Sequence, residues 1–174
     1  SRNKMSVLST IKKRFSPYSF DKTNVSFEDV ESAFEAARWA PSGYNNQPWR
    51  FVYTSRDHKN FEKMLSFPVD SNRKWMKDCG GIAVILAKTQ SDYNGQLDPS
   101  AQYCCGLAVG QMLVEISALG LHSHQIGGFD SKELAKFLRL PNTVIPMAMM
   151  AVGRTSEEPS KNRKRKLLKV LVLR

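Results

Sequence analysis

The 174-residue chain is sparing in the features that mark several protein classes. It holds only three cysteines, Cys79, Cys104 and Cys105, at no regular spacing. That excludes a disulfide framework and points to a reducing, cytoplasmic compartment. No uninterrupted apolar run approaches the roughly 18 residues of a membrane span, so no membrane partner is expected. There is no low-complexity tract, and 41% hydrophobic content excludes disorder as the main state. Also missing are a G-x-S-x-G elbow, a G-x-x-x-x-G-K-[ST] loop and a G-x-G-x-x-G fingerprint. His122 and His124, taken with the cysteines, are the residues that suggest a metal site. They lack C-x-x-C or H-E-x-x-H spacing, and Cys104 and Cys105 point about 100° apart on a helix. No metal site is expected, and the cysteines read as small core residues.

Acidic residues are absent from one end of the chain and scarce at the other. Residues 1–14 carry five basic groups and no acid, while residues 154–174 carry eight basic groups and two acids. The stretch between carries 13 basic and 14 acidic groups, so a neutral body bears two positive ends within the net charge of +10. Such ends are either solvated tails or the two halves of a site for an anion, polymeric or small. Up to Phe20 the acid-free, Ser-rich start suits a transit peptide, but it lacks the apolar core of a secretory signal, which argues against export. Ser1 to Lys4 precede Met5 and read as an appended remnant.

Hydrophobic spacing predicts one α+β domain over residues 1–174, with four to five strands. A helix is expected over Ser6–Lys13, with Leu8 and Ile11 on one face. Ser26 and Asp29 form a capping pair before a second helix carrying Phe27, Val30, Phe34 and Ala37, with Val25 stapled to Val30 and Pro41 ending the run. Trp49–Thr54 alternates as a strand, and Asp57–Leu65 reads as a short helix. Ile82–Ala87 suits a strand buried on both faces. Ser100–Leu119 is apolar nearly all round and makes the core helix, stopped by Gly120, with Gly106 and Gly110 permitting close helix packing. Asp130 and Glu133 open a helix through Leu138, Met147–Val152 is another buried strand, and Lys169–Arg174 alternates weakly as a last one.

Three local features carry polar chemistry. Arg14-Phe15-Ser16-Pro17-Tyr18 sets a cation, a hydroxyl and a phenol after the first helix. Ala40-Pro41-Ser42-Gly43-Tyr44-Asn45-Asn46-Gln47-Pro48-Trp49 packs small, amide and hydroxyl groups between helix and strand. Lys161-Asn162-Arg163-Lys164-Arg165-Lys166 is basic, and in extended chain Arg163 and Arg165 share a side on which they can grip a phosphate. Each alone also reads as solvated surface, an ordinary turn or a localisation-like run.

Together they resemble the FMN-dependent nitroreductase family, in its Arg-x-Ser-Pro-Arg-x-Phe branch. The start reads Arg14-Phe15-Ser16-Pro17-Tyr18-Ser19-Phe20. Pro41-Ser42 then precedes Asn45-x-Gln47-Pro48-Trp49-x-Phe51, followed by Asn72-x-x-Trp75, Gly120-Leu121, Gly127-Gly128-Phe129-Asp130 and Arg163-Lys164-Arg165. The resemblance runs over residues 11–168. It implies a three-layer α/β/α fold around a mixed sheet, and a homodimer that exchanges its C-terminal segment, residues 160–174. It implies an NAD(P)H oxidoreductase in which FMN takes hydride from NADH or NADPH at N5 and passes it to nitroaromatic or quinone-type acceptors by ping-pong turnover, with no side-chain catalyst.

The same resemblance assigns cofactor-binding residues. Arg14, Arg163 and Arg165 match phosphate-binding positions, and Phe15, Ser16 and Tyr18 belong to the same start. Asn72 matches an amide at the flavin edge. Gln125, Ile126, Gly127 and Gly128 match backbone near N5 and O4. Pro41, Ser42, Gly43 and Asn45 match a segment that reaches the flavin held mainly by the other subunit. Departures are Tyr18 in place of a cation, Gly127 in place of a common acid, Cys104 in place of an Asp, and a short excursion between Lys88 and Ser100. Two rival readings are a flavin carrier or sensor with little reductase activity and a basic nucleic-acid-binding module. Against the second, aromatic residues are not interleaved with the basic clusters, and no nucleic-acid partner is expected.

Overall fold

A computed structural model describes residues 6–173. The proposed remnant Ser1–Lys4 and the final residue Arg174 lie outside the described residues. In chain order the elements are α1 (Ser9–Lys13), α2 (Phe27–Arg38), β1 (Trp49–Ser55), α3 (Phe61–Leu65), α4 (Asp70–Met76), β2 (Gly81–Lys88), α5 (Ala101–Ala118), β3 (His122–Ile126), α6 (Ser131–Phe137), β4 (Val144–Gly153) and α7 (Leu168–Leu171).

The capping pair at α2 is fully formed. Asp29 N–H donates to Ser26 Oγ at 3.2 Å, and Ser26 N–H donates back to Asp29 Oδ2 at 2.8 Å. Val25 and Val30 are both buried beside this cap, and Val30, Ala33 and Ala37 form the inward face. Among the described residues the strands form one four-stranded sheet in the order β1-β2-β4-β3. Every neighbouring pair is antiparallel, so the expected mixed sheet is corrected to an antiparallel one within the chain. Among the described residues no strand from the C-terminal segment joins it. The register shifts at Ile85/Leu86, opposite Pro146. Proline cannot donate to a ladder, and β3 extends only as far as Met149, so β4 is locally an edge at Pro146.

Two apolar clusters cover the sheet's faces and make three layers. On one, α2 and α5 pack with Ala83, Ile85, Met150 and Val152. On the other, Phe61, Met64, Met76 and Leu134 from α3, α4 and α6 pack with Ile82, Val84, Met149 and Ala151. β2 is buried along both faces, as its uninterrupted apolar run predicts.

Several elements differ from the sequence reading. The described part of the expected last strand Lys169–Arg174, up to Leu173, is not a strand: Leu168–Leu171 is a helical turn, with Leu167, Leu168, Val170, Leu171, Val172 and Leu173 exposed. The helix expected from Asp57 starts at Phe61, because Ser55 Oγ donates to Asp57 and Asn60 N–H donates to His58 Nδ1, closing a turn first. The first helix begins at Ser9 rather than Ser6. Within the chain, Gly106 and Gly110 do not mediate close helix packing, since a Cβ at either would meet nothing within 4 Å. Both lie exposed on the outer face of α5.

Beyond the sheet, the two ends of the chain run side by side. Asp21 N–H donates to Arg154 O at 3.0 Å, and the Glu157 carboxylate accepts from Tyr18 N–H at 2.8 Å and Ser19 N–H at 3.0 Å. These bonds bring the basic termini to one edge of the molecule.

Candidate functional site

The segment after α1 and the segment after β4 meet in a cleft of about 410 Å³ lined by Ile11, Lys12, Arg14, Arg163 and Arg165. Arg163 spans the junction. Its guanidinium donates to Arg14 O at 2.6 Å and to Lys12 O at 2.5 Å, which satisfies carbonyls at the C-terminal end of α1. Arg14 Nη1 lies 3.5 Å from Ser16 Oγ. Partial burial, and then the charges of Arg163 and Arg165, hold the Arg14 guanidinium below its ordinary pKa. Among the described residues no carboxylate lies within ion-pair distance of these three arginines. Gathering like charges is unfavourable without a counter-charge, and a cleft that does so is electrostatically suited to an anion.

Beside the cleft stands an aromatic group. Phe15 is buried and meets His122 edge-on, with centroids 5.0 Å apart. His124 stacks on Trp75 at 4.4 Å, and its Nδ1 lies 2.8 Å from Pro17 O, so that nitrogen carries the proton and donates. Tyr18 meets Trp75 and His124 edge-on and is exposed. Both histidines, His122 and His124, thus serve as aromatic partners. Burial outweighs nearby Glu157 and Glu158 and lowers the His122 pKa.

Asn72 on α4 donates to Gly128 O at 3.3 Å, and Val69 N–H donates to the same oxygen at 3.0 Å. A Cβ on Gly128 would lie 3.1 Å from both Asn72 Nδ2 and Val69 Cγ2, whereas one on Gly127 would meet nothing. Of this pair, only Gly128 is closely packed against its neighbours. The Ile126 side chain is buried in the core, which leaves only its backbone to face a ligand. Gln125 points to the opposite face and borders a cavity of about 280 Å³ with Met147, Ala148 and Gly106.

The 41–47 segment stands apart from the arginine cleft. Ser42 Oγ accepts from Gln47 N–H at 2.9 Å, and Gly43–Asn45 forms a 3₁₀ turn. Pro41 borders a separate surface hollow with Leu8, Ile11 and α5. Pro41, Gly43 and Asn45 are exposed and share no hydrogen bond with Arg14, Arg163 or Arg165. Within one chain the structure thus joins Arg14, Ser16, Arg163 and Arg165, sets Tyr18 near Trp75 of α4, joins Asn72 to Gly128, and leaves residues 41–45 elsewhere.

All three thiols are buried, and burial pushes Cys79 up to about 12 and Cys105 up to about 11. Cys79 donates to Gly81 O at 3.2 Å, as a satisfied core thiol does. Among the described residues no three of His, Cys, Asp and Glu gather as a metal site would need. Nor is any described helix long and apolar enough to cross a membrane.

The model of the nitroreductase family matches residues 11–154. The chain belongs to the nitroreductase family. A relative, the oxygen-insensitive NADPH nitroreductase of Helicobacter pylori, is 26% identical over 87% of this chain and 86% of its own length. Among solved structures, a Desulfovibrio desulfuricans protein in complex with FMN is 26% identical, covering all of this chain and 98% of that one, with a TM-score of 0.82. An oxidoreductase containing FMN reaches a TM-score of 0.83 at 25% identity, over 90% of this chain and 80% of that one. The matched span stops short of Arg163 and Arg165, so the basic tail enters the site through geometry.

Proposed function

We propose that this chain is an FMN-dependent NAD(P)H oxidoreductase reducing nitroaromatic or quinone-type acceptors in a reducing compartment such as the cytoplasm. The observation that carries the reading is the cleft of Arg14, Arg163 and Arg165, three cations from opposite ends of the chain around one space. A flavin phosphate is a dianion, and guanidinium groups bind such oxygens through short charge-assisted bonds. The donor set fits. Arg14 and Arg165 supply charge, Ser16 supplies a hydroxyl beside Arg14, and Arg163 already holds the α1 carbonyls, so the cleft is preformed. Relatives described as an NADPH nitroreductase and as FMN complexes support the same cofactor and reductant.

In this reading the side chains bind and orient. Asn72, whose amide lies beside Gly128, would offer a polar group to the ring, and the Gln125–Gly128 backbone would flank it. Phe15 and Tyr18, neighbours in sequence of Arg14 and Ser16, would contribute rings packed on His122, Trp75 and His124. When bound, FMN supplies hydride transfer at N5, first from NAD(P)H and then to an acceptor occupying the same place. No side-chain nucleophile is needed, so the protein's task is to hold the ring and keep one face open.

The reading extends to a homodimer. The glycines on the outer face of α5 have open space above them, and the C-terminal run is exposed through Leu173 at 91%. A second copy that received the tail would cover both surfaces, and would let Pro41, Ser42, Gly43 and Asn45 reach the partner's flavin.

The test is absorbance. Purified or FMN-reconstituted protein should show a flavin spectrum that bleaches when NADH or NADPH is added without oxygen. Protein that takes up no flavin overturns the reading, and flavin that binds but never bleaches identifies a carrier or sensor instead. Steeply salt-dependent DNA binding without flavin uptake would favour the nucleic-acid module.

A further inference from the structure

Two exposed tyrosines stack on one another away from the arginine cleft. Tyr44 and Tyr93 lie with ring centroids 5.0 Å apart and planes 14° from parallel. They are 82% and 70% exposed, so the outer faces of the pair are open to solvent. Among the described residues neither phenol oxygen has a hydrogen-bond partner, and neither ring belongs to the core clusters.

The stack is not needed to fasten its two loops. Asn46 Nδ2 donates to Ser91 Oγ at 2.9 Å and to Asp98 Oδ2 at 3.2 Å, and both Ser91 and Asp98 are buried. The 89–98 loop is further closed by Ser91 N–H to Gln96 O and Asp98 N–H to Thr89 O, each at 2.7 Å. The segment carrying Tyr44 is also held in an uncommon shape. Tyr44, Asn45 and Gln47 all have positive φ, at 52°, 54° and 48°, and none is glycine. Left-handed non-glycine residues persist where surrounding structure over-determines them, and they cluster at ligand-binding positions. Here the constraint projects a bare aromatic ring from the segment that would reach the partner's flavin.

We propose that Tyr44 and Tyr93 form a stacking platform that captures flat aromatic acceptors by adding a third ring to the pair, and so sets a preference for planar over non-aromatic oxidants. The proposal rests on the flavin reading above. Offset-stacked rings attract one another beyond their area burial, and an already parallel pair presents a fixed face at little ordering cost.

The test compares wild type, the double variant Tyr44→Leu/Tyr93→Leu and the double variant Tyr44→Phe/Tyr93→Phe, all FMN-loaded. Leucine keeps apolar bulk without a ring face, and phenylalanine keeps the face without the hydroxyl. Binding of 2-naphthoate to oxidised protein is read from the flavin absorbance, and kcat/KM is measured for 1,4-naphthoquinone and for ferricyanide. The leucine variant should bind 2-naphthoate about 5-fold to 10-fold more weakly and lose a similar factor in the naphthoquinone-to-ferricyanide ratio. The phenylalanine variant should stay within about twofold of wild type in both, and KM for NADPH should not follow the ratio. A leucine variant that keeps flavin, naphthoate affinity and ratio overturns the platform while leaving the reductase reading intact. The same holds if NADPH KM alone moves. Wild-type protein that takes up no flavin overturns both.

Discussion

Replacing Arg165 by Gln removes one cation from the cleft while disturbing little else, because its one side-chain bond is to the neighbouring Lys164 O. Arg163 is a poorer choice, since its two bonds to α1 carbonyls make its loss structural as well as electrostatic. A hydrogen bond to a charged group contributes about 1.5–3 kcal/mol, so Arg165→Gln should weaken FMN binding by about 10-fold to 150-fold. Thermal unfolding reads this directly. FMN at 100 times its Kd stabilises the folded state by about 2.7 kcal/mol, and a chain of this size gains about 2–4 °C per kcal/mol, giving a rise of about 5–11 °C for wild type. At the same FMN concentration a variant 10-fold to 150-fold weaker keeps only about 0.3–1.4 kcal/mol, or about 1–6 °C. Without ligand, Arg165→Gln should unfold at the wild-type temperature or slightly above it, because like-charge repulsion on Arg14 is relieved. Riboflavin, which lacks the phosphate, should stabilise wild type less than FMN does. Equal shifts from riboflavin and FMN, or from FMN in wild type and variant, would refute the assignment of the phosphate to this cleft.

Two further outcomes follow from packing and titration. Gly128→Ala should lower the unfolding temperature relative to Gly127→Ala, because the new methyl meets Asn72 and Val69 at 3.1 Å whereas one at Gly127 meets nothing; equal effects in calorimetry would contradict the contact geometry. His122 has a lowered folded-state pKa, so its neutral form is favoured in the native protein. Its stabilising share is complete above the unfolded value near 6.5 and is lost as pH falls through the folded value. Urea midpoints at pH 7.5 and 5.5 should therefore diverge less in His122→Gln than in wild type, and an unchanged difference would remove His122 from the account.

Much of this fold is legible in the sequence, and the places where it is not have physical causes. Ser26 and Asp29 announce α2 because a cap is a local bond between residues three apart. The Gly81–Lys88 strand and α5 are apolar enough to be read as buried without knowing their neighbours. β3 is hidden because His122, Ser123, His124 and Gln125 are polar, and an edge strand is defined by what it pairs with. α4 is hidden because Asn72, Arg73 and Lys74 face outward or toward loops, and its inward signal is little more than Trp75 and Met76. The tail fails for the opposite reason, since a short apolar run such as Leu167–Leu173 has no periodicity that separates a strand from a helical turn. At the candidate site the charge map alone leaves solvated tails and a shared anion site both open, and the Glu157 bonds to Tyr18 and Ser19 supply the reason the termini meet. The Tyr44–Tyr93 pair was illegible, because nothing local ties a turn residue to a ring in the 89–98 loop.

The reading of both termini as one binding site is tested most directly by a crystal structure of the protein grown with FMN. The account predicts a phosphate whose oxygens lie within hydrogen-bond distance of Arg14 and Arg165, with the Ser16 hydroxyl beside it. A flavin bound with its phosphate in solvent, or held by cations elsewhere on the molecule, would contradict it.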